Sequence, residues 1–124
     1  MKKKCLLLFK YPLFWNKYAI NKFLKFYDTE YLYISNFKNK NFSEIIDEIN
    51  EFIKSKNIEI VFFDVDFFKF INLFFIKKIK NVKKILMTFD DYVVHEMNAI
   101  TANACDLILS YCPFSVLKYK EKGY

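Results

Sequence analysis

Five times along this chain a strand-length apolar run gives way to a segment whose apolar residues recur at helical spacing, and no other property restricts the fold as much. Cys5 to Phe9 is a continuous apolar run, the mark of a strand buried on both faces. After Pro12, the residues Leu13, Ala19, Ile20, Phe23 and Leu24 keep a helical repeat through Phe26. Glu30 to Ile34 is rich in β-formers, and the polar Asn36 to Lys40 turns the chain. Asn41 followed by Glu44 reads as a capping box, opening a helix with Ile45, Ile46, Ile49, Phe52 and Ile53 on one side. Ile58 to Phe63 predicts a third strand ending at Asp64-Val-Asp66, Phe67 to Ile79 a third helix, and Val82 to Phe89 a fourth strand. A helix capped by Asp90 or Asp91 is expected to run through Ala104. Asp106 to Ser110 then forms a fifth strand, and Pro113 opens a helix that stops at Gly123.

Strands alternating with helices predict an α/β fold: a doubly wound, mainly parallel five-stranded sheet, Rossmann-like, with helices on both faces. The expected strand order is 3-2-1-4-5. It puts the topological switch between strands 1 and 4, so that Tyr11 and Trp15 face Asp90, Asp91 and His95 across a crevice. In a flavodoxin-like order, 2-1-3-4-5, the first loop would meet Asp64 to Phe67 instead, and the third-strand carboxylates would gain importance.

At 124 residues the chain is expected to be one domain, 1–124, and its end after a fifth helix suggests the N-terminal half of a two-domain protein. With 54% hydrophobic and 21% aromatic residues it can fill a core, which excludes disorder. Phe70 to Ile76 runs into Lys77 and Lys78, and no apolar stretch reaches the ~18 residues that a membrane span needs. The start, Lys2-Lys-Lys-Cys-Leu-Leu-Leu-Phe-Lys10, closes too early for a signal peptide and reads as a first strand.

The net charge is +6, and all 20 basic residues are Lys. Without arginine's planar fork, sequence-specific nucleic-acid binding is not expected. The run Lys77, Lys78, Lys80, Lys83 and Lys84 offers peripheral contact with an anionic membrane, although such a run is more simply a solvated helix end. Cys5, Cys105 and Cys112 show no metal-ligand spacing. Neither a disulfide framework nor a metal site is expected, and a reducing, cytoplasmic setting fits.

The turn after the first strand, Lys10-Tyr-Pro-Leu-Phe-Trp15, has no glycine, so it lacks the backbone approach needed to cradle the phosphates of NAD or ATP. No cofactor is expected. A receiver domain is disfavoured as well, because its acidic pair should follow strand 1, where Lys10 and Tyr11 stand. His95 is the sole histidine and titrates near neutrality; its plainer role is to cap or pack against its own helix. Asp90 or Asp91 serves as an N-cap, leaving the other for a ligand. Asp64 and Asp66 carry little functional weight by pattern alone, and a Cys112/His95 nucleophilic pair lacks an oxyanion glycine and an orienting group.

Lys84-Ile-Leu-Met-Thr-Phe-Asp-Asp91, then His95, Ala104-Cys-Asp-Leu-Ile-Leu-Ser110 and Pro113 to Tyr124 resemble the N-terminal Rossmann-like domain of GT-B-class bacterial glycosyltransferases, the spore-maturation and spore-protein group in particular. The resemblance implies the acceptor-side half of an enzyme that transfers sugar from a nucleotide-sugar to an acceptor. Its partners would be a C-terminal nucleotide-sugar-binding domain and the acceptor. It further implies His95, Asp90 and Asp91 as catalytic residues and Tyr11, Trp15 and Thr88 as acceptor contacts, with the isolated half inactive. The competing expectation is a stand-alone flavodoxin-like interaction module without catalysis, using the aromatics from Tyr11 to Trp15 as its surface.

Overall fold

The structure, a computed structural model, describes residues 1–10, 14–37, 39–64, 73–88, 104–110 and 113–123. Its elements are β1 (Lys4–Phe9), α1 (Phe14–Phe23), β2 (Asp28–Tyr33), a 3-10 turn (Ile34–Asn36), α2 (Phe42–Lys56), β3 (Ile60–Asp64), α3 (Leu73–Ile76), β4 (Lys83–Thr88), β5 (Leu107–Ser110) and α4 (Pro113–Glu121). All five strands pair in parallel, in the order β2-β1-β3-β4-β5. The α/β class, the five strands and the parallel sheet are as the sequence predicts.

The strand order is not 3-2-1-4-5. Every residue of β3, Ile-Val-Phe-Phe-Asp, is buried, which an edge strand cannot achieve. β2 carries Asp28 and Glu30 and suits the edge it occupies, because charges there discourage pairing with a further strand. The opposite edge, Leu107-Ile-Leu-Ser110, has no charged residue.

Alternation along the strands sorts the core into two layers. On one face, Leu6, Leu8, Val61, Phe63 and Leu86 meet Ile45, Ile46, Ile49 and Ile53 of α2 together with Ile76 of α3. On the other face, Cys5, Leu7, Phe9, Ile60, Phe62, Ile85 and Met87 lie beneath Ile20 and Phe23 of α1. Phe62 is the hub of that second layer, with Phe23 edge-on at 4.6 Å and Tyr27 at 5.6 Å. α1 is shorter than its periodicity predicts, ending at Phe23 and leaving Leu24 and Phe26 exposed.

α2 forms as the capping pattern requires. The Asn41 side chain accepts the Glu44 N–H at 2.9 Å. At the far end Asn57 turns left-handed (φ 55), and the Ile58 N–H donates to the Ile53 carbonyl at 3.0 Å while the Ile58 side chain is buried, a Schellman-type stop. Asn39 and Asn81 also have positive φ, as does Gly123 just beyond α4. Asn50 ties α2 to the approach to β4: its Nδ2 donates to the Lys78 carbonyl, and its Oδ1 accepts the Lys80 N–H. Asp106 likewise locks the start of β5 onto β4, its Oδ2 accepting the Lys84 N–H at 2.8 Å. Among the described residues no helix is long and apolar enough to cross a membrane.

Candidate functional site

In a parallel sheet ordered 2-1-3-4-5 the chain reverses its lateral direction at β1, and the crevice opens at the carboxyl ends of β1 and β3. β1 runs out into Lys10, which is half-buried and whose carbonyl accepts the Ser35 N–H at 2.9 Å. That bond fixes the rim of β1 against the 3-10 turn. β3 ends in Asp64.

Asp64 is 3% exposed and is the one buried charged side chain among the described residues. Its position follows from strand alternation: Ile60, Phe62 and Asp64 fall on the same face, the layer beneath α1. It pairs across the ladder with Met87, which in turn pairs with Leu109. On the far side of β1, Phe9 pairs with Tyr33, their rings stacked at 6.0 Å. Burial pushes the Tyr33 phenol up, and the neighbouring Tyr31 adds to the effect, so this aromatic wall stays neutral around neutral pH. Burying a carboxylate costs several kcal/mol unless partners compensate, and Asp64 is not without one. Beside the rim, Phe23, Met87, Leu109 and Ser110 enclose a mainly apolar cavity of about 250 Å³.

Thr88 ends β4 one residue beyond Asp64's ladder partner and pairs with Ser110, so its backbone stands at this same rim. Trp15 lies in the first turn of α1. Tyr11, Asp90, Asp91 and His95, with Asp66 and Cys112, lie outside the described residues. The order of the strands moves the carboxyl end of β4 to the side of the switch point. Asp64, given little weight by its spacing, is the carboxylate at the crevice among the described residues. Its signal was in the sequence: the continuous run Ile60 to Phe63 favours an interior place over the charged β2 segment, and placing β3 beside β1 brings Asp64 to the switch.

Neither described thiol is set up as a nucleophile. Burial pushes Cys105 up to about 12, with Lys84 opposing and Asp106 assisting the shift. Burial also raises Cys5, whose Sγ lies 3.5 Å from Thr29 Oγ1. No group of histidine, cysteine, aspartate or glutamate side chains among the described residues is arranged to hold a metal ion.

No protein-family model and no curated protein matches the chain. Among solved structures it is similar to a response regulator from Thermotoga maritima, at a TM-score of 0.57 and 14% identity, over 98% of this chain and 97% of that one. It is also similar to the Legionella pneumophila response regulator LqsR, at a TM-score of 0.51 and 15% identity, over 98% of this chain and 42% of that one. These likenesses establish the fold. They overturn the glycosyltransferase resemblance and, with it, the nucleotide-sugar domain and the sugar acceptor expected as partners. The motif behind that resemblance, a strand ending in Asp followed by a helix and Gly, is what any α/β unit uses to cap a helix and end it, so it does not single out a transferase. The missing acidic pair after β1 did not exclude receiver architecture either, since it concerns the chemistry of a site and not the packing of a sheet. What closes the comparison is a five-stranded parallel domain of response-regulator fold in which lysine, not a carboxylate, stands where β1 meets the switch point.

Proposed function

We propose that this chain is a receiver-like interaction module of a phospho-signalling system, working in the cytoplasm, which a protein partner recognises at the carboxyl rim of the sheet and which performs no catalysis of its own. The observation that carries this reading is the pairing at the switch point of a buried aspartate, Asp64, with a strand that contributes Lys10. Transfer of a phosphoryl group to a carboxylate needs the charge of the incoming group neutralised, usually by a divalent cation held on acidic side chains. Here the first strand and its turn, Lys10 to Trp15, supply no acid. A lysine at that place brings a permanent positive charge, which favours one fixed state of the rim over a state switched by modification. Recognition would then rest on the shape and charge of the rim, with the apolar cavity beside Ser110 available to a partner side chain.

The test is to incubate the protein with Mg²⁺ and acetyl phosphate, and separately with Mg²⁺ and beryllofluoride, following intact mass and melting temperature. Both are expected to stay unchanged. A phosphoryl adduct that disappears in Asp64→Asn, or a beryllofluoride-dependent rise in melting temperature, would replace the fixed module with a phosphorylated switch. Turnover of any small donor by the chain would remove the non-catalytic reading.

A further inference from the structure

Because the five strands run parallel and the helices return against them, the amino ends of the strands and the carboxyl ends of the helices share the pole opposite Asp64. Residues 1–4, 22–28, 51–59, 77–84, 104–107 and 117–123 come together there. These segments hold fifteen of the twenty lysines against five carboxylates (Asp28, Glu51, Glu59, Asp106 and Glu121), an excess of ten positive charges. Among the other described residues, Lys10, Lys17 and Lys40 stand against Glu30, Glu44, Asp47, Glu48 and Asp64, a net −2. The described residues are polarised along the strand axis.

The fold's own needs do not account for this excess. Helix carboxyl ends favour nearby cations, but each contributes only about half a negative charge. α1, α2 and α4 together therefore offset roughly 1.5 of the ten. Two of the five carboxylates are engaged in anchoring strand starts, Glu59 on the Lys4 N–H and Asp106 on the Lys84 N–H. Gathering like charges at one end opposes folding by self-repulsion, and what it provides in return is a field that draws polyanions.

Exposed rings stand among these lysines. Phe26 is 71% exposed and follows Lys25, and the Lys2 amine reaches the Leu24 carbonyl beside it. Phe74 is 64% exposed, with the Lys78 amine 4.4 Å above its ring. Lysine charge interleaved with exposed aromatic faces is how proteins hold single strands, the charges following the phosphates and the rings stacking on bases. A protein partner fits less well, because lysine is depleted from the centres of protein interfaces. A membrane fits less well too: among the described residues this pole is made of strand starts and helix ends, with no amphipathic helix lying along it. The absence of arginine removes bidentate reading of base edges.

We propose that the amino-terminal pole of the sheet binds single-stranded nucleic acid through its phosphate backbone, without sequence preference, with Phe26 and Phe74 stacking on bases. The surface is separate from the Asp64 rim and does not depend on the function proposed for it.

The experiment is fluorescence anisotropy of the whole chain with labelled mixed-sequence single strands of about 20 nucleotides, DNA and RNA, and with a duplex of equal length. Binding is expected to weaken about a hundredfold between roughly 50 and roughly 200 mM salt, as contact with about five phosphates requires. The variant Lys77→Glu/Lys78→Glu/Lys80→Glu/Lys83→Glu should bind at least about tenfold more weakly, while Lys17→Glu, outside the pole, should bind like the parent. Phe26→Ala/Phe74→Ala, which removes exposed rings only, should weaken single-strand binding by roughly tenfold and leave the duplex unchanged. The proposal is overturned if no binding appears at low salt, if both multiple variants bind like the parent, or if phosphatidylserine vesicles or polyglutamate are held as tightly as the single strands.

Discussion

The two faces of the sheet are filled by different means. Beneath α2 the layer is closed by isoleucines, with Ile45, Ile46, Ile49 and Ile53 all at 5% exposure or less. Beneath α1 it is aromatic and runs out toward β5, where Leu107 and Leu109 stay 44% and 43% exposed although their ladder partners Ile85 and Met87 are buried. Handedness explains the contrast. Right-handed crossovers put α2 and α3, between β2 and β4, on one face, and among the described residues the β1–β2 crossover, which moves the other way, places α1 on the second. α4 does not repair the gap, since its Tyr119 packs on Ile108, which pairs with Leu86 of the closed layer. Coverage here is set by strand order, not by a shortage of apolar residues.

Truncating adjacent phenylalanines of β3 tests the contrast most directly. Phe63→Ala, in the closed layer, should cost about 4–5 kcal/mol of unfolding free energy, and Phe62→Ala, beneath α1, about 3 kcal/mol, because the thinner layer can collapse into the space. Urea denaturation reads both. Equal costs, or a larger one for Phe62→Ala, would mean that the second face is as tightly packed as the first. A smaller loss, about 1 kcal/mol, is expected for Asn41→Ala, which removes the cap of the helix that closes the first face. At the open end, Leu109→Thr should change stability by no more than about 0.5 kcal/mol, so a cost of several times that would show the position covered in solution.

A further effect is confined to alkaline pH. Cys105 packs against the closed layer, and its thiol is raised from 9.0 to about 12 in the fold. A raised folded-state value stabilises fully below the unfolded value and is lost as pH climbs from 9.0 toward about 12. Melting temperature should therefore fall over that window, and less steeply in Cys105→Ala. Identical slopes for the two proteins would show the thiol to be solvated.

Much of this was readable from the residues. The cap at Asn41 and the stop of the last helix at Gly123 were legible because each is fixed by local hydrogen bonding and backbone sterics. Strand order was not, being a non-local choice among arrangements with similar local patterns, although the uninterrupted burial of β3 against the charged β2 contained the answer. The expected site depends on that order: Tyr11 and Trp15 face Asp90, Asp91 and His95 across a crevice when strand 4 lies beside strand 1. Once β3 takes that place, Asp64 and Lys10 come to the crevice without any change in the reading of the elements themselves.

The left-handed corners have a consequence of their own. In a chain with one glycine, three bends at positive φ are made by Asn39, Asn57 and Asn81. Asparagine is the side chain that tolerates this region best, yet it still carries a steric cost that glycine escapes. Each of these described bends therefore holds a small conformational tension that a glycine in its place would release.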